Sequence, residues 1–283
     1  MGYDFPKGSM NDMWRVLLIC LGIFGLATQA GADGGALRQL NSNDQGRGWE
    51  AVGRLDLGGS GFCTGTLIAP DLVLTAAHCL FDRTNGQRLD TSRIEFLAGW
   101  RNGRAEAYRQ IDRAVLHPDY VYEAKVQANR VRSDLALLRL SQPIRTSSVL
   151  PFATDIWRHG DAQLGVVSYA HDRADAPALQ EQCNVMGRQS GVLVMSCSVD
   201  FGSSGAPVFR LRDGQAMIVS VVSAKAEMDG NPVALGTDLA GGLSALMEAM
   251  QAGTRRFPAA TSGGLVFSSG DERNDTGAKF VRP

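Results

Sequence analysis

Short apolar runs separated by glycine and other turn residues are the feature that most constrains the fold of this chain. The chain has 283 residues, of which 33 are glycine. β-Branched residues recur in runs as short as Ile218–Val222, whereas long helical periodicity is scarce. Such a pattern is typical of many short strands joined by tight turns. It predicts an all-β fold, either a barrel or a sandwich.

Size and charge limit the classes of function. Hydrophobic residues make up 44% of the chain, which is enough to build one large core or two small ones. The formal net charge of -1 at pH 7 gives no electrostatic basis for binding nucleic acid. We therefore expect no nucleic-acid partner.

The N-terminal region has the composition of a secretory signal peptide. The apolar run Val16–Ala27 follows Lys7 and Arg15, and the small residues at 28–32 offer candidate cleavage sites. The run is shorter than the ~20 apolar residues that a membrane-spanning helix needs. Residues 1–32 are therefore predicted to be a signal peptide, with an uncleaved membrane anchor as the alternative. Export predicts a secreted or periplasmic protein without stable membrane insertion.

The cysteines agree with export. One of the five, Cys20, lies inside the apolar run and leaves with it. The other four are Cys63, Cys79, Cys183 and Cys197. Four cysteines allow three pairings, and the sequence alone leaves the choice open. Disulfides indicate an oxidising compartment.

Three motifs place the residues of nucleophilic catalysis in the chain order His, Asp, Ser. His78 follows an apolar strand inside the segment Cys63–Cys79. Asp134 stands at the start of a later apolar run that is also predicted to be a strand. Residues 202–207 read Gly-Ser-Ser-Gly-Ala-Pro and contain Ser204. A serine hydroxyl is a weak nucleophile that needs an adjacent base, and the base needs an orienting group. These residues are the predicted base, orienting acid and nucleophile.

Together the motifs resemble those of the trypsin/chymotrypsin-like serine proteases, and the bacterial members more than the mammalian ones. The resemblance runs from about Trp49 to Gly253. It implies an all-β fold of two six-stranded antiparallel β-barrels with a short C-terminal helix. The barrels are expected at residues 49–145 and 146–253, the helix belonging to the second. The resemblance also pairs Cys63 with Cys79, and the remaining two cysteines then pair with each other.

The regions outside the predicted barrels have a different composition. Residues 33–48 are polar and glycine-rich, which predicts a flexible mature N-terminus or a short pro-segment. Residues 254–283 are rich in Thr, Ser and Gly with few apolar anchors, which predicts a flexible tail.

The serine motif departs from the family pattern Gly-Asp-Ser-Gly-Gly-Pro at two positions. Ser203 is the rival nucleophile, but the flanking glycines and Pro207 align Ser204 with the family serine. The backbone NH groups of Gly202 and Ser204 are then expected to form the oxyanion hole. Ser203 replaces the aspartate that receives a new amino terminus in mammalian members, and no Ile-Val-Gly-Gly-like start exists. We therefore predict activity without that switch.

The same alignment identifies candidate substrate-pocket residues. Ser198 falls at the position of the pocket floor. Because no aspartate stands there, a preference for substrates with Lys or Arg before the cut is disfavoured. Asp200 is expected to be a solvated wall or turn residue. Ser223 begins the substrate-pairing strand, and Lys225 at the rim either attracts acidic residues or closes the pocket. Val222 stands where glutamate-specific bacterial relatives carry histidine.

These features predict a secreted serine endopeptidase that acts on polypeptides, works as a monomer and needs no cofactor. His159 and His171 have no partners at metal-ligand spacing, so no metal is assigned. One alternative is a non-catalytic binding protein on the same fold, since Ala224 and Lys225 replace the usual Trp and Gly. An esterase is disfavoured because its triad runs in the order Ser, Asp, His.

Overall fold

The computed structural model describes residues 1–2, 35–123, 128–161, 163–212 and 214–254. Apart from its first two residues, the predicted signal peptide lies outside these ranges. The predicted tail lies outside them from residue 255 onward.

Strands dominate the described residues. They are β1 (Arg38–Gln39), β2 (Val52–Asp56), β3 (Phe62–Ala69), β4 (Leu72–Thr75), β5 (Glu95–Ala98), β6 (Ala107–Leu116), β7 (Ala136–Leu140), β8 (Gln163–Ala170), β9 (Arg173–Gln189), β10 (Val192–Met195), β11 (Pro207–Arg212), β12 (Gln215–Met228) and β13 (Asn231–Asp238). The helices are α1 (Asn43–Gly46), α2 (Ala128–Arg132) and α3 (Gly242–Thr254), with 3₁₀ turns at Ala77–Leu80 and Thr91–Arg93.

The first barrel is closed by antiparallel pairing in the order β2-β3-β4-β7-β6-β5. Leu55, Leu67 and Leu137 come from three different strands and are fully buried inside it. Closure removes free strand edges, so backbone donors and acceptors of the barrel are paired within it.

The second sheet contains a ring of strands in the order β9-β10-β13-β12-β11-β8, and β8 pairs back onto β9. Leu193 and Val219 are fully buried in its core. The predicted all-β fold with two barrels is confirmed. The segment between β7 and β8, residues 141–162, contains the predicted domain boundary at 145/146.

The predicted C-terminal helix is α3, which packs on the first barrel rather than the second. Leu246 and Met250 join a hydrophobic cluster made mostly of first-barrel residues, and α3 contacts β6 and β7 of that barrel. Arg113 on β6 donates hydrogen bonds to the carbonyl oxygens of Ala249 and Met250, at 3.1 and 3.2 Å. Within the described ranges, no helix combines the length and the apolar character that crossing a membrane requires.

Residues 38–48 are held by contacts with both barrels, so the prediction of a flexible segment is corrected there. Strand β1 pairs with β9, and Leu40 is fully buried. Arg101 of the first barrel donates from Nε to the Leu40 carbonyl at 2.8 Å. Ser42 caps α1 in a capping box. The segment is polar, and its stabilising partners lie far away in the chain, which explains why local composition misled the prediction.

Candidate active site

Strand pairing in the first barrel brings His78 and Asp134 together. Thr75 at the end of β4 pairs with Ala136 at the start of β7, so the residues that flank these strand ends are neighbours. The backbone NH of His78 donates to Asp134 Oδ1 at 2.8 Å, and His78 Nδ1 lies 2.6 Å from Oδ2. A carboxylate only accepts, so this contact assigns the ring proton to Nδ1 and leaves Nε2 as an acceptor.

Asp134 is fully buried and has a second hydrogen-bond donor. Ser223, 89 residues later in the chain, donates from Oγ to Asp134 Oδ2 at 2.5 Å. Burial alone acts to raise the pKa of Asp134. The electrostatic interaction with His78 and the hydrogen bonds from His78 and Ser223 outweigh it and hold this pKa below its usual value. The carboxylate therefore stays ionised although it is buried.

The role of Ser223 is the main feature of this region that the sequence did not predict. The resemblance assigned it to the substrate-pairing strand, whereas the structure places its hydroxyl on the buried carboxylate. No local sequence signal links a serine on β12 to an aspartate before β7.

Both predicted disulfides are confirmed. Cys63 on β3 is bonded to Cys79 in the turn that carries His78, with 6.2 Å between the Cα atoms. Cys183 is bonded to Cys197, with 4.9 Å between the Cα atoms. Cys63, Cys79 and His78 lie close together, but the two sulfurs are already joined and are not thiolate ligands for a metal.

The loop that carries Ser204 is docked on the first barrel by close backbone contacts. Thr64 on β3 donates its NH to the Ser204 carbonyl and its hydroxyl to the Gly202 carbonyl, both at 2.8 Å. Gly205 has φ +81, and an added Cβ would lie 2.1 Å from Thr75 Oγ1. Only glycine fits a backbone in this conformation and this close to a neighbour.

Two adjacent serines have opposite environments. Ser203 is fully buried, and its Oγ donates to the Tyr169 carbonyl at 3.1 Å and accepts from the Asp200 NH at 3.3 Å. Ser204 is partly exposed and lines the same cavity as His78. Ser203 therefore holds the loop, and Ser204 is the accessible hydroxyl.

The backbone NH groups of Gly202 and Ser204 donate to no protein acceptor within the described part of the chain. Both are thus available as a donor pair beside the Ser204 hydroxyl. No hydrogen bond joins that hydroxyl to the His78 ring among these residues. In substrate-free sites such contacts are commonly long and tighten when the substrate binds.

The cavity that contains His78 and Ser204 has a volume of about 440 Å³. Of the predicted pocket residues, Asp200, Ser223 and Lys225 line it. Ser198 does not: it is exposed, and its NH donates to Gln180 Oε1 at 2.8 Å. The structure therefore gives Ser198 no place at the floor of this cavity.

Five further lining residues were missed at the level of sequence. They are Arg83, Tyr122, Arg130, Val199 and Phe201. The basic, irregular stretch at 122–132, just before Asp134, is the one sequence signal that pointed to part of this set. A second cavity of about 120 Å³ adjoins His78 on the other side, next to the Cys63–Cys79 disulfide.

A family model described as the trypsin-like peptidase domain matches residues 60–218, a range that includes His78, Asp134 and Ser204. The chain belongs to this family. A modular serine protease of Drosophila melanogaster is 38% identical over 96 residues, which covers 31% of this chain but only 14% of that relative.

The fold has a close counterpart among solved structures. A Glu endopeptidase in complex with MPD superposes with a TM-score of 0.61 and 17% sequence identity, covering 78% of this chain and 98% of that one. At this identity the similarity shows the fold, and the family assignment rests on the domain match.

Proposed function

We propose that this trypsin-like chain is a serine endopeptidase that cleaves polypeptides through an acyl-enzyme intermediate. The observation that carries the proposal is the hydrogen-bonded network of His78, buried Asp134 and Ser223. His78 and Ser223 line the cavity that Ser204 also lines. In this proposal Ser204 is the nucleophile, His78 the general base and Asp134 the orienting acid.

The first half of the proposed reaction forms the acyl-enzyme. His78 Nε2 takes the proton from Ser204 Oγ while Oγ bonds to the scissile carbonyl carbon. The carbonyl oxygen becomes an oxyanion between the free NH groups of Gly202 and Ser204, where such donors are worth about 3–4 kcal/mol each. His78 then gives its proton to the leaving amine as the C–N bond breaks.

The second half regenerates the enzyme. Water loses a proton to His78 and attacks the acyl carbon, and the bond to Ser204 Oγ breaks as Oγ regains the proton. Asp134 stabilises the imidazolium in both halves because its carboxylate is ionised and hydrogen-bonded to Nδ1. Ser223 keeps that carboxylate in place.

A free strand edge supports binding of an extended peptide. Strand β11 pairs with β12 only as far as Val221, and the Val222 backbone bonds to Gly205 and Ala206. Residues 223–225 continue β12 along the cavity, and in the described residues their edge opposite β13 has no partner strand. A substrate strand that adds to this edge would bring its scissile bond toward Ser204.

Activity is proposed to be independent of a newly cut amino terminus. The Ser203 hydroxyl already bonds to the loop and to Tyr169 where an aspartate would otherwise await an α-amino group. Trp49 packs against Phe152 and Phe209, with ring centroids 5.7 and 5.1 Å apart, and follows the ordered segment 38–48. These contacts support activity without that salt bridge.

We also propose that the protein is exported from the cytoplasm and is either secreted or periplasmic. Its two disulfides persist in an oxidising compartment. The predicted signal peptide at residues 1–32 provides the route. Mass determination of the mature N-terminus after expression with the full leader tests this, and retention of Met1 in the soluble protein contradicts it.

The test of the enzyme is covalent labelling. We expect a fluorophosphonate probe to modify Ser204, located by peptide mapping, and expect the same preparation to cleave denatured protein substrates. The non-catalytic alternative predicts an unlabelled Ser204 and peptide binding without cleavage. That outcome would reject the proposed activity.

A further inference from the structure

Two arginines of the first barrel line the main cavity without a carboxylate partner. Arg83 follows the turn that carries His78, and Arg130 lies on α2, four residues before Asp134. Within the described ranges neither guanidinium forms an ion pair. The Arg83 guanidinium lies over the Phe201 ring at 5.1 Å from its centroid.

Arg130 is held in a fixed position by neighbouring groups. Its Nη1 donates to the Glu123 carbonyl at 2.7 Å, and its Cζ lies 5.8 Å from the Tyr122 ring centroid. Aromatic rings orient a guanidinium but do not neutralise it. Both arginines therefore keep an unneutralised charge at the cavity wall.

The negative groups of the cavity are already engaged. Lys225 Nζ lies 3.6 Å from Asp200 Oδ1 across the second-barrel wall, so this pair is neutral overall. The oxygens of Asp134 accept from His78 and Ser223 and are buried beneath them. The charge that a ligand meets is consequently positive, and clefts lined by one sign of charge attract the opposite sign.

We propose that the cavity binds an acidic side chain of the substrate through Arg130 and Arg83, on the acyl side of the scissile bond. This rests on the proposed endopeptidase function. The acyl side is assigned because Arg130 lines the main cavity together with the free strand edge at 223–225. Of the two arginines, only Arg83 also lines the smaller cavity beside the Cys63–Cys79 disulfide.

The chemistry favours a carboxylate over its neutral isostere. A guanidinium presents a planar fork of donors that matches a carboxylate, and charge-assisted hydrogen bonds are stronger than neutral ones. A glutamine side chain has the same shape as glutamate but half of its fork donates. Matched Glu and Gln peptides therefore isolate the charge from the shape.

The first experiment measures hydrolysis. Peptides that the wild type cleaves are resynthesised in pairs with Glu or Gln at each of the four positions before the cut. We expect kcat/KM to favour Glu by about tenfold at one of these positions at low salt, and the preference to shrink as salt is raised. A ratio at or below one at every position would overturn the inference.

Variants identify the responsible charges. Arg130→Gln is expected to remove most of the Glu preference, Arg83→Gln a smaller part because Arg83 is more exposed, and Arg130→Lys to keep most of it. The matched control is Arg109→Gln, since Arg109 also donates to backbone carbonyls but lies outside the cavity. Equal Glu preference in Arg130→Gln and Arg109→Gln would refute the assignment.

A binding measurement separates this inference from the proposed activity. Fluorescent Glu and Gln versions of one peptide are titrated into the Ser204→Ala protein. Tighter binding of the Glu peptide, with the difference lost in Arg130→Gln, supports the acidic site even if no hydrolysis occurs. Equal binding of the two peptides by the Ser204→Ala protein, together with fluorophosphonate labelling of Ser204 in the wild type, rejects the site and leaves the proposed function standing.

Discussion

The two halves of the candidate active site differ in how tightly their polar groups are held. On the first barrel, Asp134 is fully buried and accepts hydrogen bonds from His78 and Ser223. On the second barrel, Phe201 is 66% exposed, and Lys225 and Asp200 meet at the surface. Groups that orient other groups are fixed by burial, whereas groups that meet a substrate must stay accessible.

The loop of Ser203 and Ser204 combines both situations within two residues. Ser203 points inward and is fixed by hydrogen bonds, while Ser204 faces the cavity. Substitution of these two neighbouring serines is therefore expected to have different effects, one on stability and the other on catalysis.

The largest expected effect separates these two serines. Ser204→Ala should lower kcat/KM by about 10⁶-fold, because the nucleophile is lost. Ser203→Ala should remain active and label with a fluorophosphonate, but with reduced stability, because it loses buried hydrogen bonds. Active Ser204→Ala together with inactive Ser203→Ala would show that the assignment of the nucleophile is one residue off.

The next prediction concerns the contact between the two halves. Gly205→Ala should lower the free energy of unfolding by more than about 4 kcal/mol, because its Cβ would collide with Thr75 and Thr64. Gly230→Ala is the control: φ is +77 there, but nothing lies within 4 Å of the added Cβ. It should cost only ~1–2 kcal/mol. Equal costs in urea unfolding would mean that the close approach is unimportant.

Ser223→Ala tests whether the buried half is held by its second donor. We expect kcat to fall by about 10- to 100-fold, because the buried Asp134 Oδ2 loses one of its two hydrogen-bond donors and keeps only His78 Nδ1. Ser220→Ala also removes a buried hydroxyl from β12, one that donates to the Thr237 carbonyl at 2.8 Å. It should affect stability and spare kcat. A similar loss of kcat in both variants would mean that Ser223 contributes packing and that its hydrogen bond to Asp134 has no specific role in catalysis.

The ionised state of Asp134 gives a smaller effect, visible in acid. Its pKa is lowered in the folded protein, so ionisation contributes stability above the unfolded pKa of about 3.9. That contribution disappears as the pH falls through the folded pKa. The stability difference between the wild type and Asp134→Asn should therefore narrow below about pH 4. Urea unfolding from pH 3 to pH 7 measures it, and a difference that widens in acid contradicts it.

The last prediction is that blocking the α-amino group has no effect on the number of active sites. Protein that starts at Asp33 should give the same number of titratable active sites whether its α-amino group is free or acetylated, because Ser203 leaves that group no buried carboxylate partner. Labelling that requires cleavage near Trp49, and that acetylation of the new amine abolishes, would demonstrate an activation switch.

The fold class and the disulfide pairing were predictable because they rest on local patterns and on motifs that resemble a known family. The short runs bounded by glycine predicted strands, and the resemblance of the motif around His78 to a known family implied the Cys63–Cys79 bridge. Residues 38–48 were not predictable in this way. Strand β1 is only two residues long and exists because β9 and Arg101 receive it.

The substrate side was predicted least well. The alignment of Ser198 with a pocket floor assumed a loop conformation, and in this structure the residue faces outward. Arg83 reaches the cavity from the loop after the His78 turn and Arg130 from the short helix α2, and the two segments have no common motif. Loops vary in path even when the strands that support them keep their pairing.

By itself, then, the sequence indicated the strand-forming runs and the His, Asp and Ser candidates for a triad, because each of these lies in a local motif. The cysteine pairing came from the resemblance of these motifs to a known family. Only the tertiary structure decided that Ser223 bonds to Asp134, that Ser203 is buried while Ser204 is partly exposed, and that two arginines without an ion-pair partner among the described residues line one cavity. These relations join residues far apart in the chain, and burial and strand pairing, rather than local propensity, bring them together.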